Sequence, residues 1–288
     1  MSRILGVHGI GQQYMSGPQL QHDWWLAIRG GLEIAGFRSS ADALATTDVR
    51  VAFFGDLFRP QGAKTGGEPP YQPMDVTAGA ERALLEHWYT QAVNQEPLLG
   101  PTDGSKGTLR LPTDVMLDRL LRSRTLSGVG KRAFIGRLKQ VTAFLAESHI
   151  KERVLERVSR EVTPETEIII GHSLGSVVAY EYLARYAPYQ VRLFVTLGSP
   201  LGIPALIFDR LTPPPREGIG VWPGRVPRWV NIADKNDIVA WRKQLSPLFQ
   251  SEFDRRVEER LVNNGKSPHA IGPYLNARFT GQALGAAL

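Results

Sequence analysis

Two kinds of hydrophobic pattern alternate along the chain. Short, nearly continuous apolar runs break into glycines: "RILGV" leads into "HGIG", and "VRVAFF" leads into "GD". Runs of this length, rich in β-branched and aromatic residues, predict buried strands over Arg3 to Val7 and Val49 to Phe54. Between them Trp24 or Trp25, Ile28 and Leu32 recur about four apart, the period of an amphipathic helix, with Gly36 as its stop signal. Strand, helix, strand in immediate succession opens a parallel sheet.

From Leu57 to about Val162 the pattern changes. A Gly/Pro-rich stretch, "RPQGAKTGGEPPYQP", gives way to helical periodicity over Val76 to Val93, Thr113 to Leu126 and Lys131 to Ser159. The loop "NQEPLLGPTDGSKG" separates the first two, and Phe134, Leu138, Val141 and Leu145 form an apolar stripe along the third. This segment, 57–162, reads as a helical insertion, a cap or lid, within a single α/β domain spanning 1–288. The strand and helix alternation then resumes. Ile168 to Ile170 predict a strand, Leu174 to Tyr186 a helix stopped by Pro188, and "VRLFVTLGSP" and "RWVNIAD" two further strands. The tail suggests a helix from about Leu245 to Asn263, followed by the loop "NGKSPHAIGP". Continuous apolar strands favour a mostly parallel sheet covered by helices on both faces.

Composition narrows the picture. A chain of 288 residues can bury one sizeable core, and no apolar run approaches the ~18 residues of a membrane span. There is no cysteine, so neither a disulfide framework nor a thiolate metal site is expected. "MSRILGVHG" lacks the length of a secretory signal, which makes a cytoplasmic location the default expectation. The net charge of +6 is concentrated: Lys106 to Arg160 holds thirteen Lys and Arg against five Asp and Glu. Such a segment is either a solvated helical surface or a contact for anionic lipid or an acidic partner. Nucleic acid is not expected, because no binding motif or aromatic and basic interleaving is present.

The chemistry centres on "IIIGHSLGSVV". Gly171, Ser173 and Gly175 make a G-x-S-x-G pattern, which chance alone can supply, but a strand precedes it and a helix follows. That context predicts a strained strand-to-helix turn that lifts the Ser173 hydroxyl above the sheet. A serine needs a base, and the base needs an orienting acid. Of six histidines, only His269 follows both the elbow and the "RWVNI" strand, so it is the expected base. Asp237 is the preferred acid over Asp234, since Ile238 and Val239 can anchor it in the core; the other aspartate would cap the turn. The oxyanion hole is expected from the backbone N–H groups of Leu174, at a helix start, and Ile10, in the loop shaped by Gly9 and Gly11. His8 and His172 are expected to be structural. No H-E-x-x-H or EF-hand pattern appears, so no catalytic metal is expected.

As a set, "HGIG" at His8 to Gly11, "GHSLG" at Gly171 to Gly175, "LGSP" at Leu197 to Pro200, Asp237 and His269 resemble the lipase and serine-esterase branch of the α/β-hydrolase superfamily. The resemblance covers roughly residues 1–55 and 165–275. It implies an α/β-hydrolase fold and hydrolysis of small-molecule or lipid esters through an acyl-enzyme without a cofactor; a thioesterase or acyltransferase with the same triad, or a non-catalytic binding protein on the hydrolase fold, are the alternatives. A first strand starting at Arg3 departs from the larger family fold, whose leading antiparallel strands are expected to be missing as in a minimal core. The long insertion carries no recognisable cap signature, and because caps and loops decide what enters, the resemblance does not imply a substrate class.

Overall fold

β1 (Ile4–Val7) is flanked in register by β2 (Val49–Ala52) on one side and β3 (Ile168–His172) on the other, all parallel. The computed structural model describes residues 2–59, 69–100, 111–251, 253 and 255–288. Most of the Gly/Pro-rich stretch and the second half of the loop after Gln95 lie outside these, as does Lys106 of the basic segment. Six parallel strands run in the order β2, β1, β3, β4 (Leu193–Leu197), β6 (Arg228–Asp234), β8 (Glu258–Val262). A separate two-residue ladder joins β5 (Gly220–Val221) to β7 (Phe249–Gln250).

The period of two in the strands sorts their side chains onto two cores. Ile4, Ile168, Ile170, Val195 and Ile232 face α1 (Gly17–Ile34), α8 (Ile271–Leu275) and α9 (Arg278–Gly285). Leu5, Ile169, Phe194 and Trp229 face the opposite core, built with α7 (Leu174–Tyr186) and the helices of the 57–162 segment. A further short helix, α2 (Arg38–Ala43), follows α1. Helices on both faces of a parallel sheet explain why the strands are apolar at successive positions.

The helices between β2 and β3 are α3 (Ala80–Gln95), α4 (Thr113–Leu120), α5 (Lys131–Ala146) and α6 (Ser148–Glu161). The long helix expected over 131–159 is therefore two. Glu147, with φ −101° and ψ 102°, breaks it. The break divides the labour: α6 packs against β2 and α7 as a sheet-flanking helix, whereas α5 packs against α3 and α6. Five cations of this segment are paired with carboxylates: Lys131, Lys139 and Arg160 within it, Lys151 with Glu181 of α7 and Arg157 with Asp56 after β2.

The helix expected over Leu245 to Asn263 does not form. Its Glu, Arg and Leu residues have good helical propensity, but Val257 is buried and Glu258 to Val262 pair with β6 as the sheet's edge strand. Arg228 on β6 holds Glu258 through two hydrogen bonds of 2.6 and 3.0 Å, and Asn231 donates to Glu259 at 2.9 Å. Tertiary pairing thus overrides local preference. Among the described residues no helix is long and apolar enough to cross a membrane.

Candidate active site

The C-terminal ends of β1 and β3 are adjacent, yet the chain leaves β1 toward one edge of the sheet and β3 toward the other. Such a switch point opens a crevice above the sheet. Ser173 stands there, between β3 and α7, with φ 53° and ψ −130°, a conformation that strains a residue bearing a side chain. Its neighbours hold the turn: the Ser173 N–H donates to the Leu197 carbonyl at 3.0 Å, and the Ser176 hydroxyl donates to the Ser173 carbonyl at 2.6 Å. Gly175 is required by close approach, since a Cβ there would collide with the carbonyl oxygens of Val7 and His8. The elbow and the loop after β1 are thereby pressed together.

His269 bridges two of the expected partners. Its Nε2 lies 2.9 Å from Ser173 Oγ, and its Nδ1 lies 2.7 Å from Asp237 Oδ2. Asp237 is fully buried, which alone would favour the neutral acid. Donors outweigh that: His269 and Tyr274 face Oδ2, the Val239 N–H donates to Oδ1 at 2.9 Å, and the Lys243 ammonium lies nearby. The net result is a carboxyl held below its ordinary range. Ile238 and Val239 are buried beside it, as expected. Asp234 instead closes the turn, its Oδ1 accepting the Asn236 N–H at 2.7 Å and its Oδ2 accepting the Asn264 N–H.

The other two buried histidines are held neutral. Burial pushes His172 down to about 3, and its Nε2–H donates to the His269 carbonyl at 3.0 Å, fixing the backbone that carries His269. Burial likewise pushes His8 down to about 4; its Nε2 accepts the Phe54 N–H at 3.2 Å and its ring stacks on Phe54.

A cavity of about 330 Å³ opens above Ser173 and His269. Ile10 and Leu174 both line it, and neither backbone N–H donates to a protein acceptor among the described residues. The far wall comes from the 57–162 segment: Trp88 of α3, Leu126, and Phe134, Arg137 and Val141 of α5. The loop after β1 is also braced from α5, where the Gln140 Oε1 accepts the Gly11 N–H at 2.9 Å and the Gln140 amide donates to Gln13 Oε1 at 3.0 Å.

Tyr274, Lys243, Gln140 and Arg137 are absent from the sequence-based expectations. Gln140 left one signal, a polar residue beside the apolar stripe of α5. Tyr274 left none, because it reaches Asp237 from α8, which begins two residues after His269.

A family model described as a PGAP1-like alpha/beta domain matches residues 133–213, which run from α5 through the elbow to the turn beyond β4. The six-stranded parallel sheet places that match in its full setting. The fold is that of an α/β hydrolase. No match was found among the curated proteins or among the solved structures. The α/β-hydrolase assignment supports a hydrolytic function in general, and groups of His, Cys, Asp and Glu able to hold a metal are absent among the described residues.

Proposed function

We propose that the protein is a serine hydrolase of carboxylic esters. The observation that carries this reading is His269, which contacts Ser173 Oγ through one ring nitrogen and Asp237 through the other beneath an apolar-walled cavity. In the proposed reaction, Ser173 Oγ attacks the ester carbonyl while His269 Nε2 takes its proton. The Ile10 and Leu174 amides receive the oxyanion, where the start of α7 adds a favourable dipole. Collapse of the tetrahedral intermediate expels the alcohol, which takes the proton from His269 and leaves an acyl-Ser173. Water, deprotonated by His269, then releases the carboxylic acid and restores the serine. Asp237 keeps the imidazole in the tautomer that the first step needs.

The 57–162 segment serves in this reading as the cap. Its contribution of Trp88, Leu126, Phe134 and Val141 to the cavity wall supports that role and suits an ester with an apolar acyl chain. The test is labelling with a neutral fluorophosphonate, followed by turnover of 4-nitrophenyl esters of increasing acyl length. Ser173→Ala should abolish labelling, and His269→Ala and Asp237→Asn should each lower kcat by roughly 10³-fold or more. A wild-type protein that neither labels nor turns over any ester would end the proposal.

A further inference from the structure

Asp234 and Asp237 are both fully buried in the turn that follows β6. Neutral donors serve each of them: the Asn236 and Asn264 N–H groups bind Asp234, and the Val239 N–H and the Tyr274 hydroxyl bind Asp237. Among the described residues the only ion pair either aspartate makes is the 2.7 Å contact of Asp237 with His269. The turn therefore buries two acids beside one imidazole.

Lys243 brings a positive charge to this turn through the backbone. Its ammonium donates to the carbonyl of Asp237 and, at 2.6 Å, to that of Ala240, which ties the segment from Asp237 to Lys243 into a ring. The half-buried residue is itself anchored: Asn231 Nδ2 of β6 donates to the Lys243 carbonyl at 2.9 Å, and the Leu245 N–H donates to Glu259 of β8 at 2.6 Å. From this position the charge acts on both carboxylates. Burial raises the Asp237 carboxyl, and His269 and then Lys243 more than reverse it. Burial draws the Lys243 ammonium below its ordinary range, while Asp237 and Asp234 pull the other way.

A base that must take a proton from a serine has to be neutral at the working pH. Two buried carboxylates on one side of His269 favour its imidazolium form, which cannot do so. The other groups around the pair leave this bias in place on that side. His172 of β3 is neutral, Tyr274 of α8 keeps its proton, Glu259 lies behind the turn, and Arg137 belongs to the cavity wall. A cation fixed behind Asp237 offsets one of the two negative charges without touching the carboxylate that orients the imidazole.

Building on the serine-hydrolase reading, we infer that Lys243 is a positioning residue: it ties the turn that carries Asp237 and balances the two buried aspartates, which keeps His269 free to take the Ser173 proton.

The test follows the His269 ring by NMR titration of the full chain, its signal assigned by loss in His269→Ala, beside the pH profile of kcat/KM for 4-nitrophenyl butyrate. Lys243→Met removes both charge and donors, Lys243→Gln keeps a donor, and Lys243→Arg keeps the charge. In Lys243→Met and Lys243→Gln the His269 midpoint and the acidic limb should move to higher pH by about half a unit or more, with kcat lowered and KM changed far less. Lys243→Arg should stay close to wild type. Should Lys243→Met not fold, Lys243→Gln carries the comparison. The inference is overturned if the midpoint stands still in a folded uncharged variant, even where urea melts show lost stability, or if Lys243→Arg moves it as far as Lys243→Gln does. Failure of the underlying reading looks different: wild-type protein turns over no ester and the neutral fluorophosphonate leaves Ser173 unlabelled, which removes this inference with it whatever the His269 midpoint does.

Discussion

The Tyr274 hydroxyl donates to Asp237 Oδ2 at 2.9 Å, the same oxygen that lies 2.7 Å from His269 Nδ1. Tyr274 in turn accepts the Asp234 N–H at 2.7 Å, so the hydroxyl has one orientation available. A buried carboxylate needs its lone pairs filled, and this contact shares the negative charge that His269 faces.

Tyr274→Phe is expected to concentrate that charge on the bond to His269, so the Asp237 and His269 pair holds its proton more tightly. The acidic limb of the kcat/KM profile for a neutral ester should move to higher pH. Loss of a hydrogen bond to a charged group is worth about 1.5 to 3 kcal/mol, so kcat/KM at neutral pH should fall by about tenfold to a hundredfold. An unmoved acidic limb in a folded Tyr274→Phe protein would assign Tyr274 to packing alone.

Gln140 ties α5 to the loop that carries Ile10, whose amide is the proposed oxyanion donor. Gln140→Leu leaves the Gly11 N–H and the Gln13 side chain without this partner and should lower kcat about tenfold, with KM for a small neutral ester changed far less. Gln140→Glu keeps an acceptor for Gly11 and should recover part of kcat. Steady-state kinetics on the three proteins, beside urea melts, separates loop positioning from a general loss of stability; a stability loss with kcat intact would point to the latter.

Val141 lines the cavity from α5 and is buried. Val141→Phe should fill part of the space and shift the preferred acyl chain shorter by roughly two carbons, each methylene removed costing about 0.8 kcal/mol of burial. An ester series from acetate to dodecanoate reads the shift directly. An unchanged profile would place the acyl chain elsewhere.

His8 predicts a pH dependence of stability. Its folded value is about 4 against an ordinary 6.5, so between these values the unfolded chain binds a proton that the folded chain excludes. Its contribution is fully present above pH 6.5, falls as pH drops toward 4 and is flat below that. His172 acts in the same direction, down to about 3, whereas Glu181 and Glu259, both raised by burial, act in the opposite one. Urea melts from pH 7 to pH 5 should therefore show a slope smaller in His8→Gln by up to about 1.4 kcal/mol per pH unit. Equal slopes would mean that His8 titrates normally in the folded protein.

Much of this architecture was legible because local and tertiary preferences agree. The runs at Ile4 to Val7 and Ile168 to Ile170 have no stable position except inside a covered sheet, and the elbow needs only its own glycines and flanking elements. Of the expected site residues, Ser173, Asp237 and His269 are brought together and Ile10 and Leu174 line the cavity beside them. What the pattern concealed depends on partners distant in sequence. The edge strand Glu258 to Val262 reads as helix until Arg228 and Asn231 are placed beside it. The break at Glu147 carries neither glycine nor proline and follows from the separate packing of α5 and α6. Tyr274 acquires its role only through the fold of the tail.

The three contacting side chains lie far apart along the backbone: Ser173 and His269 are 96 residues apart, Asp237 and His269 are 32. Between them the chain must lay down β4 and β6 in register before His269 can meet Ser173. Closing such long loops is the slow part of forming a parallel sheet. During refolding, helical signal should return first and, on the proposed reading, ester turnover last, which makes turnover a reporter of the final docking of the C-terminal segment.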